Sequence, residues 1–192
     1  MSSFPNISEY ASSIQSCIQH MQLFNADGVR FSEEEGLERL VGFVKGISGH
    51  NKLMFVGNGG SASLASHFAV DFTKVGGVRA VCFHDAGHLT CLSNDYSYAE
   101  AYQKSVEFYS DRGDVLFAIS SSGQSENIIR AARVAKERGC TVVTLSGFRP
   151  DNPLSKIGDI NIYTPSSVYG VVELGHGVIL HSLLDHIVAS GA

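Results

Sequence analysis

The chain has no tryptophan, only four prolines and only three methionines in 192 residues, and several other absences narrow what it can do. Lysine and arginine never cluster: 14 basic residues lie scattered among 19 acidic ones, for a net charge of −5. Without a basic stripe to follow a phosphate backbone, direct binding to nucleic acid is not expected. No run approaches the roughly 20 apolar residues that would span a bilayer. The first residues, with Glu9 and no basic flank, do not read as a secretory signal. The expectation is therefore no membrane association and a cytoplasmic location. Cys17, Cys82, Cys91 and Cys140 are widely spaced, with no CxxC and no Cys/His cluster, so they read as reduced residues, each acting as a small hydrophobe. Repeats, low-complexity tracts and linkers are also missing, and 44% hydrophobic content over this length suits a single compact domain, residues 1–192.

What is present is a change of texture near His50. Residues 1–50 read as two helical stretches, about 7–25 and 32–48, broken at Asn25-Ala-Asp-Gly28, the second opened by Ser32 ahead of Glu33, Glu34 and Glu35. From 51 to 192, short apolar runs alternate with amphipathic stretches. The runs are Leu53–Val56, Ala80–Phe83, Val115–Ile119, Thr141–Leu145 and Ile160–Tyr163; the helical stretches lie around 61–73, 97–109, 124–138 and 169–188. This order predicts an α/β fold, a five-stranded parallel sheet with helices on both faces. Ligands of such sheets gather beyond the carboxyl ends of the strands, which directs attention to the loops that follow them.

Two of those loops carry chemistry. Gly57-Asn58-Gly59-Gly60-Ser61 follows the first run and opens a helix; glycine lets backbone approach a ligand, and free N–H groups at a helix start favour an anion. Gly57, Gly59 and Ala62 also satisfy the looser dinucleotide pattern, with Asp85 as a late acidic partner, a reading ranked lower. Ser120-Ser121-Ser122-Gly123-Gln124-Ser125 follows the third run and leads into a helix near Glu126, a hydroxyl-rich cradle suited to a phosphomonoester. Taken alone it is equally an N-cap and a serine-rich turn. On the helix after the glycine loop, His67 and Asp71 stand four residues apart and face the same way, as a metal pair or an acid/base pair would.

The stretches GNGGSASLASHFAVDF, NDYSYAEAYQ, GDVLFAISSSGQSENIIRAARVAKERGCTVVTLSG and VVELGHGVILHSLLDHI resemble those of the sugar-isomerase (SIS) domain proteins, specifically the sedoheptulose 7-phosphate isomerases, or phosphoheptose isomerases. The resemblance covers nearly the whole chain. It implies a three-layer α/β/α fold of flavodoxin or Rossmann type, with the N-terminal helices of residues 1–50 used in oligomerisation and a homotetramer with active sites at subunit interfaces. It implies that Ser120, Ser121, Ser122 and Ser125 hold the sugar phosphate and that Asn58, Gly59, Gly60, Ser61, Asn94 and Asp95 face the sugar. His67 matches a metal-binding histidine, and His181 one with both metal-binding and catalytic roles.

The chain departs from the family at three places. Asp71 stands where Glu is usual; Glu173-Leu174 replaces a Gln-Glu pair; and Thr73-Lys74-Val75 and Gly170-Val171-Val172 stand where Arg and Asp-Arg are usual. The expected metal set is His67, Asp71, Glu173 and His181, two imidazoles and two carboxylates, suited to Zn²⁺ or another divalent first-row ion. Eight residues of helix separate Glu173 from His181 by about 12 Å, so one ion for both requires a late helix start, a bend, or sites shared across an interface. His176 is the local rival, since Glu173-x-x-His176 has the spacing of helical metal sites. His20, His50, His84, His88 and His186 are expected at surfaces or as satisfied interface residues.

The expected reaction is aldose–ketose isomerisation of a phosphorylated sugar through a cis-enediol, with Asp71 or Glu173 as base, His181 as acid and a metal polarising the carbonyl. The losses of Arg and Asp-Arg leave room for a ketose phosphate other than sedoheptulose 7-phosphate. The alternative is a non-catalytic SIS tetramer that binds a replication-initiator-type protein; a phosphosugar-sensing regulatory module carries little weight, because no DNA-binding segment is appended.

Overall fold

The computed structural model describes residues 6–191. Helix α1 (Ile7–Gln19) starts where Asn6 accepts the Glu9 N–H at 2.9 Å, and it stops well before residue 25. The chain instead enters a short strand β1 (Gln22–Phe24), turns where the Asn25 side chain accepts the N–H groups of Asp27 and Val29, and returns as β2 (Arg30–Phe31). Gly28, at φ +80°, permits that reversal. Helix α2 (Glu33–Lys45) then opens on the expected capping box between Ser32 and Glu35.

The core elements follow the sequence reading closely. They are β3 (Leu53–Gly57), α3 (Gly60–Lys74), β4 (Ala80–Cys82), β5 (Val115–Ser120), α6 (Glu126–Glu137), β6 (Thr141–Ser146), β7 (Ile160–Tyr163) and α7 (Tyr169–Ala189). The helix expected over 97–109 is α5 (Ala101–Tyr109), and a further helix that was not expected, α4 (Ala86–Asp95), capped by Asp85, precedes it. With Asp85 spent on the cap, the dinucleotide reading loses its acidic partner. The sheet has seven strands rather than five, in the order β2-β1-β7-β6-β5-β3-β4. The five expected strands are parallel; β1 joins β7 antiparallel and β2 joins β1. The segment before residue 50 therefore extends the sheet as well as supplying helices.

Alternate residues of each strand serve opposite layers. Phe55, Phe117, Ile119 and Leu145 pack under Phe68 and Phe72 of α3 and Leu180, Leu183 and Leu184 of α7. Met54, Val56, Leu116, Ala118 and Val142 pack under Tyr102 of α5 and Ile128, Ala131, Ala132 and Ala135 of α6. Among the described helices, α7 is the one long and apolar enough to cross a membrane by length and composition, and half of its apolar window is buried in the fold. At the amino ends of β3 and β5, fully buried Asp114 accepts the Lys52 ammonium at 2.7 Å, the Asn51 amide, and the N–H groups of Lys52 and Asp111. Burial alone would raise its pKa; the backbone N–H of Asp111 and the Lys52 and Asn51 side chains outweigh it and hold the carboxyl below its ordinary value.

The chain passes from β3 outward to edge strand β4, then crosses to β5 on the other side and proceeds to β6 and β7. The order therefore reverses between β3 and β5. Beyond the strands' carboxyl ends at that point, where sheets of this kind take their ligands, the glycine and serine loops follow β3 and β5.

Candidate active site

The glycine loop is shaped by close approaches. A Cβ on Gly57 would overlap the Ser61 backbone, and one on Gly60 would overlap the carboxylate of Glu173. Gly59, the N-cap of α3, sits at φ +56°. Glu173 thus lies against the amino-terminal turn of α3, where unpaired N–H groups and the helix dipole favour negative charge. The chain's own carboxylate therefore lies where an anion would approach this helix start.

The loop is braced by residues that sequence patterns did not single out. The Gly57 carbonyl accepts the Tyr102 hydroxyl at 2.9 Å and faces His84 Nε2 at 3.2 Å, while His84 Nδ1 faces the Ser66 hydroxyl at 3.2 Å. Burial lowers the pKa of His84, against the smaller opposing effect of its bond to Gly57. His84, expected at the surface or as a satisfied interface residue, is a half-buried strut with both ring nitrogens partnered. Asn58 exchanges two 2.9 Å hydrogen bonds with Asn127 of α6, and its Oδ1 also accepts the Tyr98 hydroxyl at 2.8 Å. Its amide ties the glycine loop to the helix after the serine loop, leaving one Nδ2 hydrogen for a ligand. Asn94 and Asp95 lie exposed at the end of α4, hydrogen-bonded to each other; Tyr98, not they, reaches the loop.

Ser120 and Ser121 are buried, whereas Ser122 and Ser125 are half-buried. Ser120 Oγ donates to Ser125 Oγ at 3.2 Å, and Ser122 Oγ accepts the Gln124 N–H. Gly123 turns the loop at φ +64°, in a place where a Cβ would overlap Asn152. Ser125 is the N-cap of α6 but makes no side-chain capping bond, so its hydroxyl stays available at a helix start. The loop offers hydroxyls and a helix N-terminus without a cation of its own, which suits a phosphate monoester.

Helices α3 and α7 run side by side in the same direction, matching Gly60 with Glu173, Leu64 with Gly177 and His67 with His181. At the third pairing, His67 Nε2 lies 3.2 Å from Asp71 Oδ2 and 3.3 Å from His181 Nε2, and the three donor atoms all fall within 4.8 Å of one another. Two donors each bound at about 2.0–2.1 Å to one tetrahedral zinc stand about 3.3 Å apart, so the two measured separations fit a shared ion. Glu173 is not brought to this trio; eight residues of helix hold it about 12 Å away. His176, the local rival, turns inward instead. It is fully buried, with Nε2 3.1 Å from Thr164 Oγ1 and 3.3 Å from the Ser146 carbonyl, and its Nδ1 has no partner.

Burial, opposed only by the bond to Ser146, drives the pKa of His176 down to about 4. The unfolded chain binds this proton near pH 6.5, so stability falls as pH drops from there toward 4, by about 3 kcal/mol from this group. Urea melts at pH 7.5 and 4.5 should show that loss, and His176→Gln should remove most of its pH dependence; an unchanged slope in the variant refutes the assignment.

A doubly wound sheet with two helix-opening loops at its switch point defines an α/β domain of the kind that takes ligands beyond the carboxyl ends of its strands. The SIS domain model matches residues 26–147. A phosphoheptose isomerase of Helicobacter hepaticus is 35% identical over 150 residues, 75% of this chain and 76% of that protein. One of Geobacter metallireducens is 35% identical over 163 residues, 80% of this chain and 86% of that protein. The structure of a phosphoheptose isomerase from Neisseria gonorrhoeae superposes with a TM-score of 0.78 at 27% identity, covering 94% of this chain and 93% of that one. The chain belongs to the SIS domain family, within its phosphoheptose isomerase branch.

Proposed function

We propose that the protein is an aldose–ketose isomerase of a phosphorylated sugar, converting sedoheptulose 7-phosphate to a heptose 7-phosphate through a cis-enediol. The observation that carries this reading is the pairing of α3 with α7, which sets Glu173 against the glycine loop and, two turns further along, brings His67, Asp71 and His181 together. Ser120, Ser121, Ser122 and Ser125 seat the phosphate, since Glu173 occupies the other helix start. We assign Asp71, which faces His67, to the metal donors and Glu173 to the proton that leaves one carbon and returns to its neighbour, with the trio and the Glu173 of one site coming from different subunits. His181 is assigned the proton that moves between the two oxygens, and its Nε2 lies close enough to His67 to complete a three-donor set. A bound Zn²⁺, or another divalent first-row ion, would supply a Lewis acid for the carbonyl. A non-catalytic tetramer docked on a protein partner would have no use for the trio.

The same reading makes the protein a homotetramer with sites at subunit interfaces. Its support is the apolar groove between α1, α2 and α7, lined by Ile18, Leu37 and Val178, with Leu174 exposed one turn before Val178 on the same helix. A reducing, cytoplasmic location accords with four free cysteines. The test is a panel of C5 to C7 ketose phosphates, with and without Zn²⁺, alongside metal analysis of the purified protein. The expected result is turnover of sedoheptulose 7-phosphate and about one divalent ion per chain, lost in His67→Ala. Silence across the panel would overturn the isomerase reading. His181→Ala separates the roles of that residue: retained metal with lost turnover marks a proton carrier, and lost metal marks a ligand.

A further inference from the structure

Phe148 is the one described non-glycine residue with a positive φ, +61°. A bulky L-residue is strained in the left-handed region, and such strain gathers where a side chain must be aimed. Here it is over-determined by its neighbours. The Phe148 N–H donates to the Ser166 carbonyl at 2.8 Å, the Tyr163 hydroxyl donates to the Phe148 carbonyl at 3.4 Å, and the preceding Gly147 donates to the carbonyl of Ser121 in the serine loop at 2.8 Å. Gly147 itself cannot be exchanged, because a Cβ there would come within 2.7 Å of Val172 on α7.

The strained backbone delivers the Phe148 ring to Tyr169, edge to face with centroids 4.7 Å apart. Tyr169 is the first residue of α7, 61% exposed, and precedes Glu173 by one helical turn on the same face. The pair therefore stands beside the serine loop through the Gly147–Ser121 bond and beside the proposed base through the helix. We propose that Phe148 and Tyr169 form an aromatic wall against the carbon chain of the bound phosphosugar and determine which chains the site accepts. This rests on the phosphosugar reading of the site. With the phosphate at Ser120–Ser125 and the reacting carbons at Glu173, the wall meets the carbons between them, excluding water from their C–H faces and limiting how they bend.

The test compares the parent protein with Phe148→Gly, Tyr169→Ala and Tyr169→Phe on the ketose phosphate that the parent turns over best, together with thermal melts. Phe148→Gly removes the ring and suits the observed φ, so loss of fold is not expected to confound it. The wall predicts that KM rises at least about tenfold in Phe148→Gly and Tyr169→Ala, that kcat changes less than about threefold, and that Tyr169→Phe, which keeps the ring, stays within twofold of the parent. A purely structural role would shift the melts and leave KM alone. Parent turnover with KM unchanged in Phe148→Gly and Tyr169→Ala overturns the wall and leaves the isomerase reading standing. A parent silent on every phosphosugar overturns that reading and the wall with it.

Discussion

His181→Ala is expected to lower kcat/KM by about 10³-fold or more while leaving the melting transition nearly unchanged. The magnitude follows from general acid–base catalysis, which contributes about 10²–10⁴-fold, with any lost metal polarisation in addition. The small cost to folding follows from position: His181 is exposed, and its described ring contacts are with His67 and the edge of Phe68. The apolar residues that anchor α7, Leu180, Leu183, Leu184 and Ile187, are untouched. Steady-state kinetics with a parallel melt reads both halves of the expectation. Turnover within tenfold of the parent would remove His181 from the chemistry.

Asp114→Ala has the largest expected effect on stability, a loss of about 3–5 kcal/mol, the range for removing one partner of a buried ion pair. Truncation leaves the Lys52 ammonium with the exposed Asp111 carboxylate in place of its buried partner, and leaves the N–H groups of Lys52 and Asp111 without their acceptor. Because the folded carboxyl is held below its ordinary value, its contribution is complete above about pH 4, the unfolded pKa, and fades as pH falls through the folded one. The double variant Lys52→Met/Asp114→Leu should recover most of the loss, since apolar replacement of a buried pair is often neutral or better. Urea unfolding at pH 7 measures both, and a single-variant loss under about 1 kcal/mol would show that the cluster is not the clamp it resembles.

The parts of this fold legible in sequence were those with strong local signals. Five strands, all but edge strand β4 buried along most of their length, read as unbroken apolar runs, and their bounds held to within a residue or two. β1 and β2 were missed because three and two residues carry no period, and because Leu23 owes its burial to distant β7 and α2. α4 was missed because Gly87, Thr90 and Ser93 are poor helix formers, and its start depends on the Asp85 cap. At the site, the loops and the His67–Asp71 pair were readable, whereas Glu173 was expected among the metal donors and the helix holds it apart from them. The braces were not readable. Asn58 and Asn127 meet across 69 residues of sequence, and His84 becomes a strut only when β4 lies beside β3. Phe148 gave no signal, because nothing in a side chain's identity announces a left-handed backbone.

The reciprocal amide pair between Asn58 and Asn127 has a consequence for the energetics of recognition. It joins the loop after β3 to the helix after β5, so neither side of the site can shift without stretching two hydrogen bonds. The conformational entropy of assembling the site is lost during folding rather than on ligand arrival. A phosphosugar then meets a preorganised frame, and the free energy gained at its phosphate remains available to strain and orient the carbons where protons move.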